Sequence, residues 1–121
     1  MVGDIQWWPC ARVERDRIAF GAVLRNGGQK QMLRLSIGYL TAVPKQVTSC
    51  TREAGSRFTV DAGTESRWVT VPGCEVAREP VAVQAEVRAG PEAGTLSGPV
   101  LSPTLHVQQD GSVVDMTRPS S

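Results

Sequence analysis

Histidine is all but missing from this 121-residue chain, lysine is scarce, and no stretch stays apolar for long. Each shortage excludes something. His106 is the single histidine and no Cys-x-x-Cys spacing occurs, so the sequence offers no zinc-type ligand set. No run approaches the ~18 apolar residues of a membrane-spanning helix, so no transmembrane segment is expected. The N-terminus lacks the basic, apolar and small-residue layout of a secretion signal. Aromatic residues make up only 5%, which leaves few platforms on which bases would stack, and nucleic-acid binding is disfavoured. There is no Gly-x-Ser-x-Gly elbow, no glycine-rich loop opening a helix, and no grouping of acids into a metal cluster or a catalytic pair. No cofactor is expected, and an enzyme is the least favoured class.

What the chain does contain is 12 glycines and 8 prolines spread among many valines and threonines. That mixture suits short strands joined by turns rather than long helices. Hydrophobic residues at 40% and charged residues at 21% are ordinary for a globular domain, and the length is that of one domain over residues 1–121. Arginine outnumbers lysine by eleven to two, a bias expected of a GC-rich genome such as that of an actinobacterium or its phage. The net charge is +1, but residues 1–60 carry +5 and residues 61–121 carry −4. If folding preserves that split, it favours head-to-tail self-assembly or an oriented partner.

Alternation with a period of two places the strands. Ile18, Phe20, Ala22 and Leu24 alternate with Arg17, Ala19, Gly21, Val23 and Arg25, the pattern of a core strand. Asn26-Gly27-Gly28 follows as a turn, because all three tolerate positive φ. Leu33, Leu35, Ile37 and Tyr39 share one face of the next run, which Pro44 ends. Residues 46–51 form a shorter β-prone stretch, residues 58–71 read as a hairpin turning at Ala62-Gly63, and Val81, Val83, Ala85 and Val87 alternate cleanly. Residues 90–99 read as a loop, 101–108 as the last core strand, and Asp110-Gly111 as a turn into a short hairpin. Residues 1–10 read as an N-terminal arm, in which Pro9 limits any strand to an edge or a short piece. Residues 11–108 form the core, 109–121 a hairpin and tail, frayed from Thr117 onward. Seven or eight short strands with a turn every ten or so residues are the rhythm of a β-sandwich.

The order "IAFGAVLRNGG", "LRLSIGYL", "RFTVDAGTESRWVTV", "VAVQAEVRA", "LSPTLHV" resembles bacterial immunoglobulin-like domains of the cell-adhesion-related and FxLYD types. The resemblance is one of pattern over about residues 11–107, and the cysteines and the Trp pair depart from it. It implies an all-β, immunoglobulin-like antiparallel sandwich acting as a secreted or surface-exposed binding or spacer module.

Three cysteines cannot all pair within one chain. Cys50 and Cys74 flank the 58–71 hairpin, so a bridge there would pin its ends; Cys10 is the alternative partner of either, or stays free. Trp7, Trp8 and Trp68 are the best binding candidates. Neighbours on a strand face opposite ways, so one of Trp7 and Trp8 should be partly exposed, as an anchor or as a cap on the sandwich end. Arg12, Arg15 and Arg17, with Arg25 and Arg34, would form a basic stripe or simply charged outward faces that discourage edge pairing. His106, between Leu105 and Val107, should face solvent; an enzyme would need a hollow beside it. The leading expectation is a non-enzymatic extracytoplasmic module that binds another protein or a cell-envelope component. The alternative is a decoration or tail component of a virion.

Overall fold

The computed structural model describes residues 2–42, 45–52 and 54–115. Two antiparallel sheets pack face to face, and no helix occurs among the described residues, so none there is long and apolar enough to cross a membrane. The first sheet pairs β1 (Ile5–Val13) with β2 (Arg17–Asn26). On the far edge of β2 lie β6 (Gly63–Val69) and β7 (Glu75–Ala77). The second sheet is centred on β3 (Gln31–Ala42) and β8 (Ala82–Pro91). The outer side of β3 takes β4 (Lys45–Ser49) and β5 (Ser56–Val60). Beyond β8 lie β9 (Val100–Leu101) and β10 (Leu105–Val107), then β11 (Val113–Asp115).

The eleven strands make eight ribbons, because three ribbons are interrupted. Between β4 and β5, Cys50 donates its N–H to the Ile37 carbonyl, and Ile37 N–H turns to the Thr51 hydroxyl at 3.1 Å. Between β6 and β7, Thr70 donates its hydroxyl to the Phe20 carbonyl at 2.6 Å, and Phe20 N–H donates to Cys74. Between β9 and β10, the Ser102 hydroxyl accepts from Ala85 N–H at 2.8 Å. In each gap a short hydroxyl side chain replaces one ladder partner, so the central strand keeps its backbone satisfied.

The inward faces are those the alternation marks. Ile18, Phe20, Ala22 and Leu24 meet Leu33, Leu35, Ile37, Val83, Ala85 and Val87 in one buried core. Phe20 of β2 stacks on Tyr39 of β3 with ring centroids 4.6 Å apart, joining the two layers. Beside that pair the Cys50–Cys74 disulfide, with Cα atoms 5.4 Å apart, links the β4/β5 edge of one sheet to the β6/β7 edge of the other.

Several expectations are corrected. Residues 58–71 are not a hairpin: β5 pairs with β3 and β6 with β2, so the chain changes sheets at residues 61–62. Period-two alternation says which face is apolar, and is silent on which neighbour a strand takes. The disulfide therefore bridges two sheets rather than the ends of one hairpin. Residues 5–10 of the segment read as an arm belong to β1, an edge strand, where Pro9 loses no needed ladder bond. Residues 101–108 split into β9 and β10, with Leu101 exposed. At 26–28 no positive φ is used. Asn26 is instead a buried plug: its amide donates to the Gln29, Val60 and Asp61 carbonyls, and its oxygen accepts from Gly28 N–H at 2.9 Å. It ties the β2–β3 turn to the point where the chain changes sheets. Gly63, at φ 137, does occupy the region that glycine favours. Pro44 and the tail from Thr117 lie outside the described residues.

Candidate functional site

Strand register, invisible along the sequence, decides which candidates meet. On the outer face of the first sheet Trp8 lies opposite Val23, and Val23 opposite Trp68, so the two indoles flank one valine in a single row. One step along β2, Cys10 lies opposite Gly21; one step further, Arg12 lies opposite Ala19 and Ala19 opposite Glu75. The outward residues of β2 are thus small where those of its neighbours are large. At the Ala19 end a hollow of about 390 Å³ is lined by Arg12, Glu14, Ala19, Trp68, Thr70 and Glu75, with the 71–74 turn closing it.

Gly21 makes this packing feasible. A Cβ there would stand 2.1 Å from the Val69 carbonyl oxygen and 3.1 Å from the tip of the Trp68 ring. Trp68 reaches over the glycine, and the Arg12 guanidinium lies 5.9 Å from its ring centroid, within cation–π range. Trp8 stays open to solvent at 44% exposure. Trp7 does not join this face. It shares its side with Leu24 and packs against the core, so the Trp pair is divided between the interior and a sheet face rather than capping the sandwich end.

The basic stripe is also divided. Arg17 ion-pairs with Glu75 at 2.8 Å and Asp16 at 3.3 Å, and its hydrogen bond to Glu75 is the main cause of its raised pKa. Arg15 sits exposed in the β1–β2 turn. Arg34 belongs to the second sheet, where it donates to the carbonyls of Pro91, Ala54 and Gly94. Of the cationic candidates, Arg12 is the one seen over a tryptophan ring among the described residues. Cys10, the free cysteine, is half-buried opposite Gly21; burial pushes its thiol pKa up, and the nearby Arg12 charge pulls it partly back.

A second hollow, of about 290 Å³, does lie beside His106, lined also by Leu40, Thr41, Ala82, Gln84 and Thr104. His106 faces outward as expected. No carboxylate or cysteine is among the described residues lining the hollow, so it assembles neither a Ser–His–Asp nor a Cys–His arrangement. Among the described residues no group of three or more His, Cys, Asp or Glu is placed to hold a metal ion. Residues Trp8, Trp68 and Arg12 were legible as candidates by type; Glu75, Thr70 and Gly21 carried no signal until the register joined them. Comparison with protein-family models, curated proteins and solved structures finds no match.

Proposed function

We propose that the chain is a non-enzymatic, extracytoplasmic binding module of the immunoglobulin-like kind, which engages a protein or cell-envelope component through the outer face of its first sheet. The observation that carries this reading is the row Trp8–Val23–Trp68, with Arg12 over the second indole. Tryptophan and arginine are the residue types most enriched among energetic anchors of interfaces, and exposing an indole has no benefit to stability. The strand order supports the immunoglobulin-like assignment. With interrupted ribbons counted as one, the sheets read A-B-E and G-F-C-C′ with β11 added beyond G, and the B–E and G-F-C-C′ pairings are those of such sandwiches. The disulfide supports an oxidising compartment.

Immobilised protein should retain a component from envelope fractions of the cells that make it, and the variant carrying Trp8→Ala and Trp68→Ala should release it. Equal retention by that variant refutes the reading of this face. Compartment is tested by alkylating the natively isolated protein before mass measurement. One labelled thiol, Cys10, fits the extracytoplasmic assignment; three labelled thiols overturn it and favour a virion component assembled in a reducing cell.

A further inference from the structure

We infer that Asn26 is a self-modification site gated by the fold. Its side-chain amide is shielded while the β2–β3 turn is closed, leaves as ammonia when the turn opens, and is replaced by a carboxylate that the closed turn cannot take back. The chain holds a single asparagine, and a glycine follows it. Asn-Gly is the dipeptide most open to attack by its own backbone, because glycine has no Cβ to crowd the following nitrogen. The Gly27 nitrogen gives up its proton and bonds to Asn26 Cγ, the Cγ–Nδ2 bond breaks, and the amide departs as ammonia. Solvent water then opens the cyclic imide at either carbonyl. The product is aspartate or its isomer, in which the main chain runs through the former side chain.

The closed turn occupies the atoms that this step needs. Asn26 is 1% exposed. Its Nδ2, the leaving group, donates to the carbonyls of Gln29 at 2.9 Å, Val60 at 3.2 Å and Asp61 at 3.3 Å. The attacking nitrogen is engaged too, since Gly27 N–H donates to the Asp4 carbonyl at 3.1 Å. The backbone of Asn26 is held in register with Ile5 on one side and Gly63 on the other. Gly28 N–H, on Oδ1 at 2.9 Å, would by itself polarise Cγ toward attack. That help is out of reach until Nδ2 has left its three carbonyls and Gly27 has left Asp4. The reaction therefore waits for local opening.

The product does not fit the site it came from. A carboxylate only accepts, so it would face three carbonyl oxygens with no hydrogen to give, buried and ionised. Its charged neighbours make this worse. A Cβ at Gly28 would stand 2.3 Å from Asp4 Oδ2, so the Asp4 carboxylate already lies against the turn. Asp61 engages Lys30 at 3.8 Å and Arg67 at 3.5 Å. The isomer lengthens the backbone inside two ladders and breaks their register. Each excursion through the open state is thus written into the chain covalently, and the fold limits its own lifetime.

The test follows the peptide mass at Asn26 and the ammonia released by the whole chain, disulfide intact, in mildly alkaline buffer with and without unfolding guanidinium chloride. The unfolded chain should deamidate about a hundredfold or more faster, because the native chain reacts only through its opened fraction. Asp110-Gly111 can form the same imide but loses water, so it adds nothing to the ammonia signal. Gly27→Ala places a Cβ that meets nothing closer than the Asp4 carbonyl oxygen at 3.8 Å; it should fold as the parent does and slow the unfolded-state reaction several-fold. Asn26→Asp should unfold at a lower denaturant midpoint than the parent. Native and unfolded rates within a few-fold of each other overturn the gate. An unfolded chain that releases no ammonia, or a Gly27→Ala chain that reacts as fast, overturns the self-modification. An Asn26→Asp midpoint equal to the parent's overturns its one-way character.

Discussion

Removing the Cys50–Cys74 bridge should cost about 3.5 kcal/mol. The cross-link closes a loop with a sequence separation of 24, and the loop-closure entropy of a loop of that size is about 12 cal/mol/K, or about 3.5 kcal/mol at 25 °C. With an unfolding entropy of roughly 2.1 cal/mol/K per residue over a chain of this length, the thermal midpoint should fall by about 14 °C. The assay is urea unfolding of the oxidised protein and of the variant carrying Cys50→Ala and Cys74→Ala. Its signature is double. Stability falls, and the denaturant slope rises, because the unfolded chain without a cross-link exposes more surface. A cavity left by the buried Cys74 side chain would lower stability with no change in slope. A loss well under 1 kcal/mol, or a large loss with an unchanged slope, would refute the argument that the bridge acts by constraining the unfolded state.

Three further outcomes follow from packing and titration. Gly21→Ala forces a Cβ into the Val69 carbonyl and should destabilise the fold by about 2–3 kcal/mol, the scale of overpacking, seen as a lower urea midpoint. Asn26→Ala deletes four hydrogen bonds of a buried side chain and strands Gly28 N–H; about 3 kcal/mol should be lost, with amide exchange quickening first at residues 26–31 and 60–63. Cys10 should react with iodoacetamide along a pH profile displaced to the alkaline side of an ordinary thiol. Since Arg12 partly offsets burial there, Arg12→Ala should displace it further. The sign follows from linkage: the raised folded-state pKa means the stability tied to the neutral thiol is present at neutral pH and declines as pH rises through that pKa. A profile that Arg12→Ala leaves in place, or moves to lower pH, contradicts the electrostatic account.

The fold was legible wherever a strand is buried on one face. In β2, β3 and β8 the inward residues recur every second position, and Ile18, Leu24, Leu35 and Val87 sit where that pattern puts them. Legibility failed where the backbone leaves its ladder. Thr51, Thr70 and Ser102 look like ordinary polar residues, yet each stands in for a missing strand partner, so one ribbon reads as two strands or as strand and loop. It failed again at residues 61–62, because two alternating segments joined by Ala-Gly describe a hairpin and a change of sheet equally well. At the candidate site the chain shows residue types and hides their company. Trp8 and Trp68 are far apart in sequence, and only the pairing of both with Val23 makes them neighbours. Trp7, adjacent to Trp8, ends on the opposite side of the same strand.

The position of the cross-link also bears on how the molecule behaves under load. When tension is applied at points on either side of the loop, the force passes through the sulfur–sulfur bond and bypasses the chain between the two cysteines, a sequence separation of 24. At roughly 3.3–3.6 Å per residue, about 80 Å of chain is thereby withheld from extension even when both sheets have come apart. β5, β6 and the crossing between them lie inside that shielded segment, so a stretched molecule keeps a tethered remnant holding Phe58 and Trp68 from which to refold. Reducing the bridge would release that length and should appear in a pulling trace as a longer final extension.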